Sequence, residues 1–392
     1  MSLPDVATAV AELKEDLWGV RRDLHRHPEL AFQEERTARL VAERLRSLGL
    51  RVQTGVAQTG VVGLLEGSQP GKTLMLRADI DALPIQEVAG RPHGSTIPGK
   101  MHACGHDGHT AVALAVASIL AQNRDRLRGR VKFVFQPAEE TMAGARRMID
   151  EGVLRDPRPD RVLGFHFWAE LPAGTVGTLP GAFWASADDI KLVIQGKSGH
   201  GATPHLAVDA IAASAQVVSA LQTIVSREVG PFQPAVLTVG TIHGGQAFNI
   251  VADRVEMTGT VRAFDEQVRT YILERVREVT ATVAAAMRCQ GEFVHRNGCP
   301  VLKNDPDATR FLLDVATRVV GKSRVVEPER TMVADDVARF LQETPGCYFV
   351  VGSANPAKGI GGPHHSPSFD LDEEALPVAA QVLATAALEY LG

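Results

Sequence analysis

The sequence predicts an α/β protein, in which a layer of strands carries helices on both faces and is interrupted by an inserted α+β domain. Short apolar runs alternate with helical patterns up to Gly181 and again after Pro300. Between these points the order changes to β-α-β-β-α-β, that of a ferredoxin-like unit. A length of 392 residues also fits two or three domains at ~150 residues each. We therefore predict one domain from residues 1–182 and 299–392, and an inserted domain from residues 183–298.

The elements of the first domain follow from periodicity and from helix-stop residues. Apolar residues recur at three- and four-residue steps at the start of the chain: Val6, Val10, Leu13, Leu17 and Val20. They predict a helix that ends by Pro28. A second helix is predicted from about residue 32 to 48, before Gly49. Buried parallel strands are predicted at residues 60–65, 73–77, 131–135 and 161–165, with helices at 108–121 and 144–150.

In the inserted domain, four strands and two helices are predicted. The strands lie at residues 186–195, 235–242, 254–262 and 291–295, and the helices at 208–225 and 265–289. The predicted inserted domain, residues 183–298, is large enough to fold as a domain of its own.

Composition excludes several classes of protein. The net charge of −5 argues against a nucleic-acid partner, which normally meets a basic surface. The longest apolar run, Ala111 to Ala121, is shorter than the ~20 residues that a bilayer needs. Four cysteines are too few for a disulfide scaffold. With no secretory signal at the start, we expect a cytoplasmic protein with no membrane partner.

A near match to a phosphate-binding loop lies at Gly67-Ser-Gln-Pro-Gly71-Lys72-Thr73. The gap between its glycines is one residue too short, and it precedes a strand instead of following one. We interpret it as a hairpin turn, which disfavours a nucleotide-dependent enzyme.

A dense group of metal-ligand residue types lies just before the predicted helix at residue 108. Cys104, His106, Asp107 and His109 occupy one tight turn, and cysteine, histidine and aspartate together are a metal-binding composition. Gly105 permits the irregular backbone that could aim a thiol and an imidazole at one point. The alternative is a histidine-rich loop around a buried free cysteine.

Three predicted strands are followed by further candidates. Asp79 and Asp81 follow one strand, Glu139 and Glu140 the next, and His166 a third. In open α/β sheets, ligands collect at the carboxyl ends of strands. Adjacent glutamates point in different directions, so one could bind metal while the other acts as a general base.

Two adjacent histidines lie far along the chain, in Gly362-Pro-His364-His365-Ser-Pro367. They could close a metal site, although taken alone a surface loop is the better interpretation.

These groups form part of a longer series of motifs. In chain order the series is His25-Arg-His27-Pro28-Glu29-Leu30, Arg77-Ala-Asp79-Ile-Asp81-Ala-Leu-Pro84, His102-Ala-Cys104-Gly-His106-Asp107-Gly-His109-Thr110, Gln136-Pro-Ala-Glu139-Glu140, Gly199-His200-Gly201-Ala202-x-Pro204-His205, Gly244-Gly245-x-Ala247-x-Asn249, Gly259-Thr-Val-Arg262 and His365-Ser-Pro367. The series resembles the M20 metallopeptidase family, and most closely its amidohydrolase branch of aminoacylases, hippurate hydrolases and auxin-conjugate hydrolases.

The resemblance implies a mixed-sheet, zinc-peptidase-like catalytic domain with an inserted lid and dimerisation domain. It implies an enzyme that cleaves the amide bond of N-acyl-L-amino acids with two divalent metal ions. Zinc, manganese, cobalt and nickel all suit the donor types. The positions that match metal ligands are Cys104, which would bridge the two ions, His106, Glu140, His166 and His365.

The same resemblance implies roles for other residues. Glu139 matches the catalytic base, and Asp81 the acid that orients a neighbouring ligand. His200 matches a donor that reaches the active site of a partner subunit, which implies a homodimer or higher homo-oligomer. Asn249 and Arg262 match positions that recognise substrate, and Arg262 offers a fork for a free carboxylate. The roles of Asp79, His25, His27 and His109 stay open.

Two alternatives remain at this stage. One is a dipeptidase or carboxypeptidase of the same superfamily. The other is a non-catalytic metal-binding protein, against which Glu139 speaks because a structural site needs no base beside its ligands.

Overall fold

A computed structural model describes residues 3–392. Its helices are α1 Leu3–Glu12, α2 Lys14–Arg26, α3 Glu35–Ser47, α4 His106–Gln122, α5 Gly144–Asp150, α6 Ala210–Thr223, α7 Glu266–Ala286, α8 Pro306–Val320, α9 Ala338–Glu343 and α10 Ala375–Leu391. Its strands are β1 Arg51–Val56, β2 Gly60–Glu66, β3 Gln69–Asp79, β4 Arg128–Gln136, β5 Arg161–Pro172, β6 Val176–Gly177, β7 Gly181–Trp184, β8 Ala187–Gln195, β9 Gly199–His200, β10 Ala235–Gly244, β11 Ile250–Val251, β12 Arg254–Ala263, β13 Gln290–Cys299, β14 Leu302–Asn304, β15 Val325–Val326 and β16 Gly346–Ala354.

The chain divides into two compact units. The first comprises Met1–Gly181, Lys303–Glu329 and Asp335–Gly392, and the second comprises Ala182–Leu302 and Arg330–Ala334. That the second unit works as a lid and dimerisation domain stays a prediction.

The first unit is built on a mixed sheet with the strand order β1-β2-β4-β3-β5-β16-β6-β15. β3 pairs in parallel with both β4 and β5. β2 pairs antiparallel with β1 on one side and with β4 on the other. The prediction of a hairpin turn after Gly67 is wrong, because β4 lies between β2 and β3. The sequence analysis also missed β1, whose side chains are mostly exposed and form no apolar run.

Helices and loops cover the sheet on both faces. On β4, Val131, Phe133 and Phe135 join the large apolar core that contains α4 and α10. Lys132 points the other way, where its ammonium donates to the carbonyls of Val153 and Pro157 after α5, at 2.7 and 2.6 Å. α4 is buried over most of its surface, which explains its long apolar run without a membrane. None of the helices described between residues 3 and 392 has the length and apolar character needed to cross a bilayer.

The predicted first helix is two helices, α1 and α2, separated at Leu13. The inner face of α2 carries buried polar side chains. Arg21 lies 3.0 Å from Asp107 and 2.8 Å from Asp370. His25 uses Nδ1 to contact Asp107 at 2.7 Å and Nε2 to contact Glu87 at 3.2 Å. A network of ion pairs therefore joins α2 to the start of α4.

In the second unit, β10, β12, β8 and β13 form an antiparallel sheet in that order. The strands β8, β10, β12 and β13 appear in the chain with α6 after the first and α7 after the third, as predicted. Both helices begin at an aspartate that accepts two backbone N–H groups, Asp209 for α6 and Asp265 for α7. Such caps stabilise a helix by about 1 kcal/mol each.

The buried His25 gives the stability of this fold a dependence on pH. Burial and the Arg21 charge lower the pKa of His25, but its bonds to Asp107 and Glu87 outweigh them and raise it above its ordinary value. The protonated ring therefore stabilises the folded chain fully below about pH 6.5, the pKa of an unfolded histidine. This contribution is lost as pH rises through the folded pKa.

We expect His25→Gln to lower the urea midpoint of unfolding at pH 6. The free energy of unfolding should fall by about 1.5–3 kcal/mol, which is the contribution of hydrogen bonds to charged groups. The difference in urea midpoint between His25→Gln and the wild type should be smaller at pH 9, with metal content matched in all samples. His27→Gln, on the same helix end but more exposed, is the control and should change little at either pH. A gap that is constant or widens towards pH 9 would contradict the charged-pair interpretation.

Candidate metal centre

The candidate residues of the first unit meet at one edge of the large sheet. Asp79 is the last residue of β3, and Glu139 follows the end of β4. The sequence predicts that His166 follows the third strand. His166 lies within β5 instead, because this strand runs on to Pro172. β3 pairs with β5 only as far as Arg77 and Gly164, however. His166 thus lies just beyond the part of β5 that pairs with β3, where β5 still pairs with β16, beside the ends of β3 and β4.

The turn before α4 brings a thiol to the same edge. Gly105 has a φ of 91° and stands at the N-terminal boundary of α4, a left-handed conformation that favours glycine. Cys104 comes directly before this turn and His106 directly after it. The irregular backbone that the sequence predicts at Gly105 is confirmed.

The five predicted metal ligands form two groups that share Cys104. One group is Cys104, His106 and His166, and the other is Cys104, Glu140 and His365, with the ligand atoms of each group within 4.8 Å of one another. The Cys104 Sγ lies 3.4 Å from His166 Nε2, and His365 Nε2 lies 3.3 Å from Glu140 Oε2. The thiol of Cys104 therefore belongs to both groups.

Hydrogen bonds orient the two buried imidazoles. His166 Nδ1 donates to the Phe167 carbonyl at 2.6 Å, and His106 Nδ1 donates to the Asp81 carbonyl at 2.9 Å. Each ring therefore presents Nε2 to the cluster, the usual arrangement for histidine ligands. Burial, and then the charges of His109 and His364, lower the pKa of His166 well below its ordinary value. His166 is thus neutral, as a ligand must be.

Two buried polar atoms at this point indicate that a cation fits. Within residues 3–392, His106 Nε2 and Glu140 Oε1 are enclosed and have no hydrogen-bond partner, and they lie 3.9 Å apart. Burial lowers the pKa of His106, but Asp79 and Asp81 outweigh it and raise it to about 10. This acidic environment attracts positive charge to the position that a metal would take. The nitrogen, sulphur and oxygen donors suit zinc and its neighbours.

Glu139 lies beside the ligands but has different surroundings. It is buried, and its Oε2 lies 3.9 Å from His106 Nε2. Burial, and then the charges of Asp335 and Glu140, raise the pKa of Glu139 well above its ordinary value. A buried carboxyl group with a shifted pKa beside a ligand cluster is a candidate for proton transfer.

Of the two adjacent histidines, His365 is the one placed beside Glu140. It has a φ of 60°, a strained conformation for a residue other than glycine and one that often marks functional sites. Its side chain is 53% exposed. His364 instead accepts the Ala169 N–H through Nε2 at 3.1 Å, although its Nδ1 lies 4.0 Å from Cys104 Sγ.

The structure shows what Asp79 and His109 contact. His109 Nδ1 donates to Asp79 at 2.6 Å, and its Nε2 accepts the Phe167 N–H at 3.0 Å. Both ring nitrogens are therefore occupied by protein. Asp79 also pairs with Arg77 at 2.6 Å. Burial opposes ionisation, but Arg77 and the two histidines His106 and His109 hold the pKa of Asp79 well below its ordinary value. Asp79 therefore links Arg77 to His109 in the buried part of the site.

Two further carboxylates, which are not among the predicted site residues, lie beside the site. Asp335 and Asp336 lie with Glu139 in one buried group, whose oxygens are within 4.8 Å of one another. Arg77 binds Asp335 at 2.8 Å, and Asp336 accepts the Ala145 N–H at 2.9 Å. The available signal was the pair of adjacent aspartates itself, which lies more than 180 residues along the chain from Glu139 and Glu140.

Three predicted site residues belong to the second unit. His200 Nδ1 accepts the Ala202 N–H at 3.0 Å, so its proton is on Nε2, and the side chain is exposed. The carbonyl of Asn249 accepts the Gly201 N–H at 2.8 Å, next to the paired β9 and β11. Arg262 lies on β12, half-buried, and donates to the Val261 carbonyl at 3.2 Å.

Comparison with known proteins identifies the family of the chain. Residues 75–389 match the model of peptidase family M20/M25/M40. The chain is 39% identical to thermostable carboxypeptidase 2 of Saccharolobus solfataricus, over 97% of each chain. It is also 39% identical to N-acetyl-L-cysteine deacetylase of Bacillus subtilis, over 97% of this chain and 90% of that one.

Among solved structures, the chain resembles the Bacillus subtilis YXEP protein, a dinuclear metal-binding peptidase from the M20 family. The two have a TM-score of 0.84 and 35% identity, over 97% of this chain and 99% of that one. The chain therefore belongs to peptidase family M20/M25/M40 and is a metal-dependent hydrolase of amide bonds.

Proposed function

We propose that this protein is a dinuclear amidohydrolase that cleaves N-acyl-L-amino acids into a carboxylic acid and a free amino acid. The observation that carries the proposal is the pair of ligand groups sharing Cys104, with Glu139 beside them. An acetylated amino acid is also the substrate named for a relative that is 39% identical.

In this proposal, the residues that hold the two cations are Cys104, His106, Glu140, His166 and His365. Bound divalent cations supply the Lewis acidity that lowers the pKa of a water molecule and polarises an amide carbonyl. Zinc, manganese, cobalt or nickel would each serve.

Glu139 performs the proton transfers. Its carboxylate accepts the proton of the attacking water and then delivers it to the leaving amine. Asp81 keeps the neighbouring groups in place: its carbonyl orients His106 Nδ1, and its carboxylate accepts the Glu140 N–H at 3.0 Å. General acid–base transfer of this kind contributes about 10²–10⁴-fold to the rate.

The second unit supplies substrate recognition in this proposal. The guanidinium of Arg262 binds the free carboxylate of the N-acyl amino acid, and Asn249 assists. His200 donates from Nε2 to the oxyanion that forms during attack. The bond from Ala202 to His200 Nδ1 supports this role, because it leaves the proton on Nε2.

We further propose that the chain acts as a homodimer or higher homo-oligomer, with His200 serving the site of a partner subunit. β10 is an edge strand of its sheet, and edge strands readily pair with another chain. Large apolar side chains are exposed in the same unit, including Phe232 at 96% and Phe248 at 103%. A second copy of the chain would cover them. A cytoplasmic location stays a prediction.

A carboxypeptidase is the second candidate, favoured by the 39% identity to a protein of that name. The two functions share the metal centre and differ in the acyl group that is removed. Hydrolysis of N-acetyl and N-benzoyl amino acids, compared with that of dipeptides at equal concentration, separates them.

Metal removal should abolish the activity. Dialysis against a chelator, followed by elemental analysis, should reduce hydrolysis of an N-acetyl or N-benzoyl amino acid to background, and added zinc, manganese, cobalt or nickel should restore it. Full activity in a sample shown to be free of metal would overturn the mechanism.

Glu139→Gln should keep metal and lose turnover, by about 10²–10⁴-fold if Glu139 transfers the proton. Metal content and kcat are measured on the same sample. Glu170→Gln, an exposed glutamate on β5, is the matched control and should behave as wild type. If Glu139→Gln loses metal and turnover in equal proportion, Glu139 is a ligand and not the base.

Mixed dimers test the shared site. His200→Ala and Glu139→Gln homodimers should each be inactive, because each lacks one group at every site. Mixed subunits should regain up to about half of the activity per mixed dimer, since one of the two sites receives both groups. Inactivity of mixed dimers, whose composition is verified by tags of different mass, would show that His200 does not act across subunits.

A further inference from the structure

The N-terminal motif that begins at His25 contacts the loops of the metal centre. His25 bonds to Asp107 at the start of α4. The carbonyl of Glu29 accepts the Ala82 N–H at 2.8 Å, in the loop after β3. The segment from residue 25 to 34 therefore contacts two loops of the candidate metal centre, at Asp107 and at Ala82. Glu34, at the end of the segment, contacts a third loop at Ala138.

Glu34 is fully buried, and both of its carboxylate oxygens are in use. Oε1 accepts the Ala138 N–H at 2.9 Å, and Oε2 accepts the Thr59 hydroxyl at 2.5 Å. Both donors are neutral. Burial raises the pKa of Glu34 to about 7. A carboxyl group enclosed without a cationic donor among these bonds is costly to keep, so its contact with Ala138 calls for a functional explanation.

Ala138 has an unusual backbone and comes directly before Glu139. Its φ is 53°, and Met142, at the other end of the same turn, has a φ of 55°. Such left-handed conformations cost residues other than glycine about 1–3 kcal/mol and persist only where surrounding contacts impose them. Glu34 supplies one such contact on the N–H of Ala138.

Glu139 thus lies between two anchored peptide groups. On one side Glu34 holds the N–H of Ala138, and on the other Asp81 accepts the N–H of Glu140 at 3.0 Å. Fixing the backbone on both sides restricts the direction in which the Glu139 side chain leaves it. The orientation of a catalytic group is critical, because a misplacement of about 1 Å can cost 10²-fold in rate.

We propose that Glu34 is a positioning residue for Glu139. The buried carboxylate of Glu34 holds Ala138 in the left-handed conformation that orients the side chain of Glu139. The inference rests on the proposed function, in which Glu139 transfers the proton. Glu34 itself contacts neither substrate nor metal, and its effect passes through the Ala138 peptide.

The test compares three substitutions in the metal-loaded enzyme. Glu34→Met keeps the length of the side chain but removes the acceptor, so kcat should fall about 10²-fold while KM and metal content stay within twofold. Glu34→Gln keeps an oxygen for the Ala138 N–H, so it should retain at least one third of the wild-type kcat. Glu35→Met, the exposed neighbour on α3, is the matched control and should be unchanged.

Circular dichroism and elemental analysis establish folding and metal content. If Glu34→Met does not fold, Glu34→Ala replaces it under the same thresholds. The proposal is overturned if the folded variant without an acceptor keeps kcat within twofold, or if Glu34→Gln loses as much as Glu34→Met. It is also overturned if kcat falls only in proportion to lost metal, because Glu34 would then support ligands and not the base.

The Glu139→Gln variant separates this outcome from failure of the proposed function. If Glu139→Gln is active, Glu139 is not the base and the proposed function fails. If Glu139→Gln is inactive while Glu34→Met is fully active, only the role of Glu34 is refuted.

Discussion

The burial of several carboxylates at one edge of the large sheet is the constraint on which the rest of the first unit depends. Asp79, Asp81 and Glu139 are buried there, and Asp335 joins them from a distant part of the chain. Negative charge enclosed in protein is costly unless it is paired. Arg77, the histidines and several peptide N–H groups neutralise part of it. The rest leaves the site short of positive charge, which is the condition for binding cations.

Local rules predicted that candidate ligands gather at one edge of the sheet, whereas the choice of the five ligands rests on the resemblance to the M20 family. Residues that follow parallel strands meet at one edge, and Gly105 marks the turn that aims Cys104 and His106. The contributions of Glu34 and Asp335 could not be predicted in this way. They reach the site through contacts between distant segments, and neither the residues around Glu34 nor the adjacent pair Asp335-Asp336 indicates by itself which residues these side chains meet.

The fold shows the same division between local and distant information. Before Pro300, most elements with apolar runs or helical periodicity were predicted within a few residues, including all six main elements of the second unit, although β5 runs on to Pro172, past its predicted end at residue 165. The exposed strand β1 gave no apolar signal. The connection after Gly67 was misassigned because strand order depends on pairing across the sheet: β4 enters between β2 and β3 from more than 50 residues away. No pattern near Gly67 reports that insertion.

The two ligand groups that share Cys104 differ in their access to bulk water. Cys104, His106 and His166 are all buried, whereas His365 is half-exposed. Within the first unit, the centre is therefore shielded from water at His166 and exposed to water at His365. Of the five proposed ligands, His365 is therefore the one that bulk water reaches most readily, and the strained backbone of that residue lies on this exposed side.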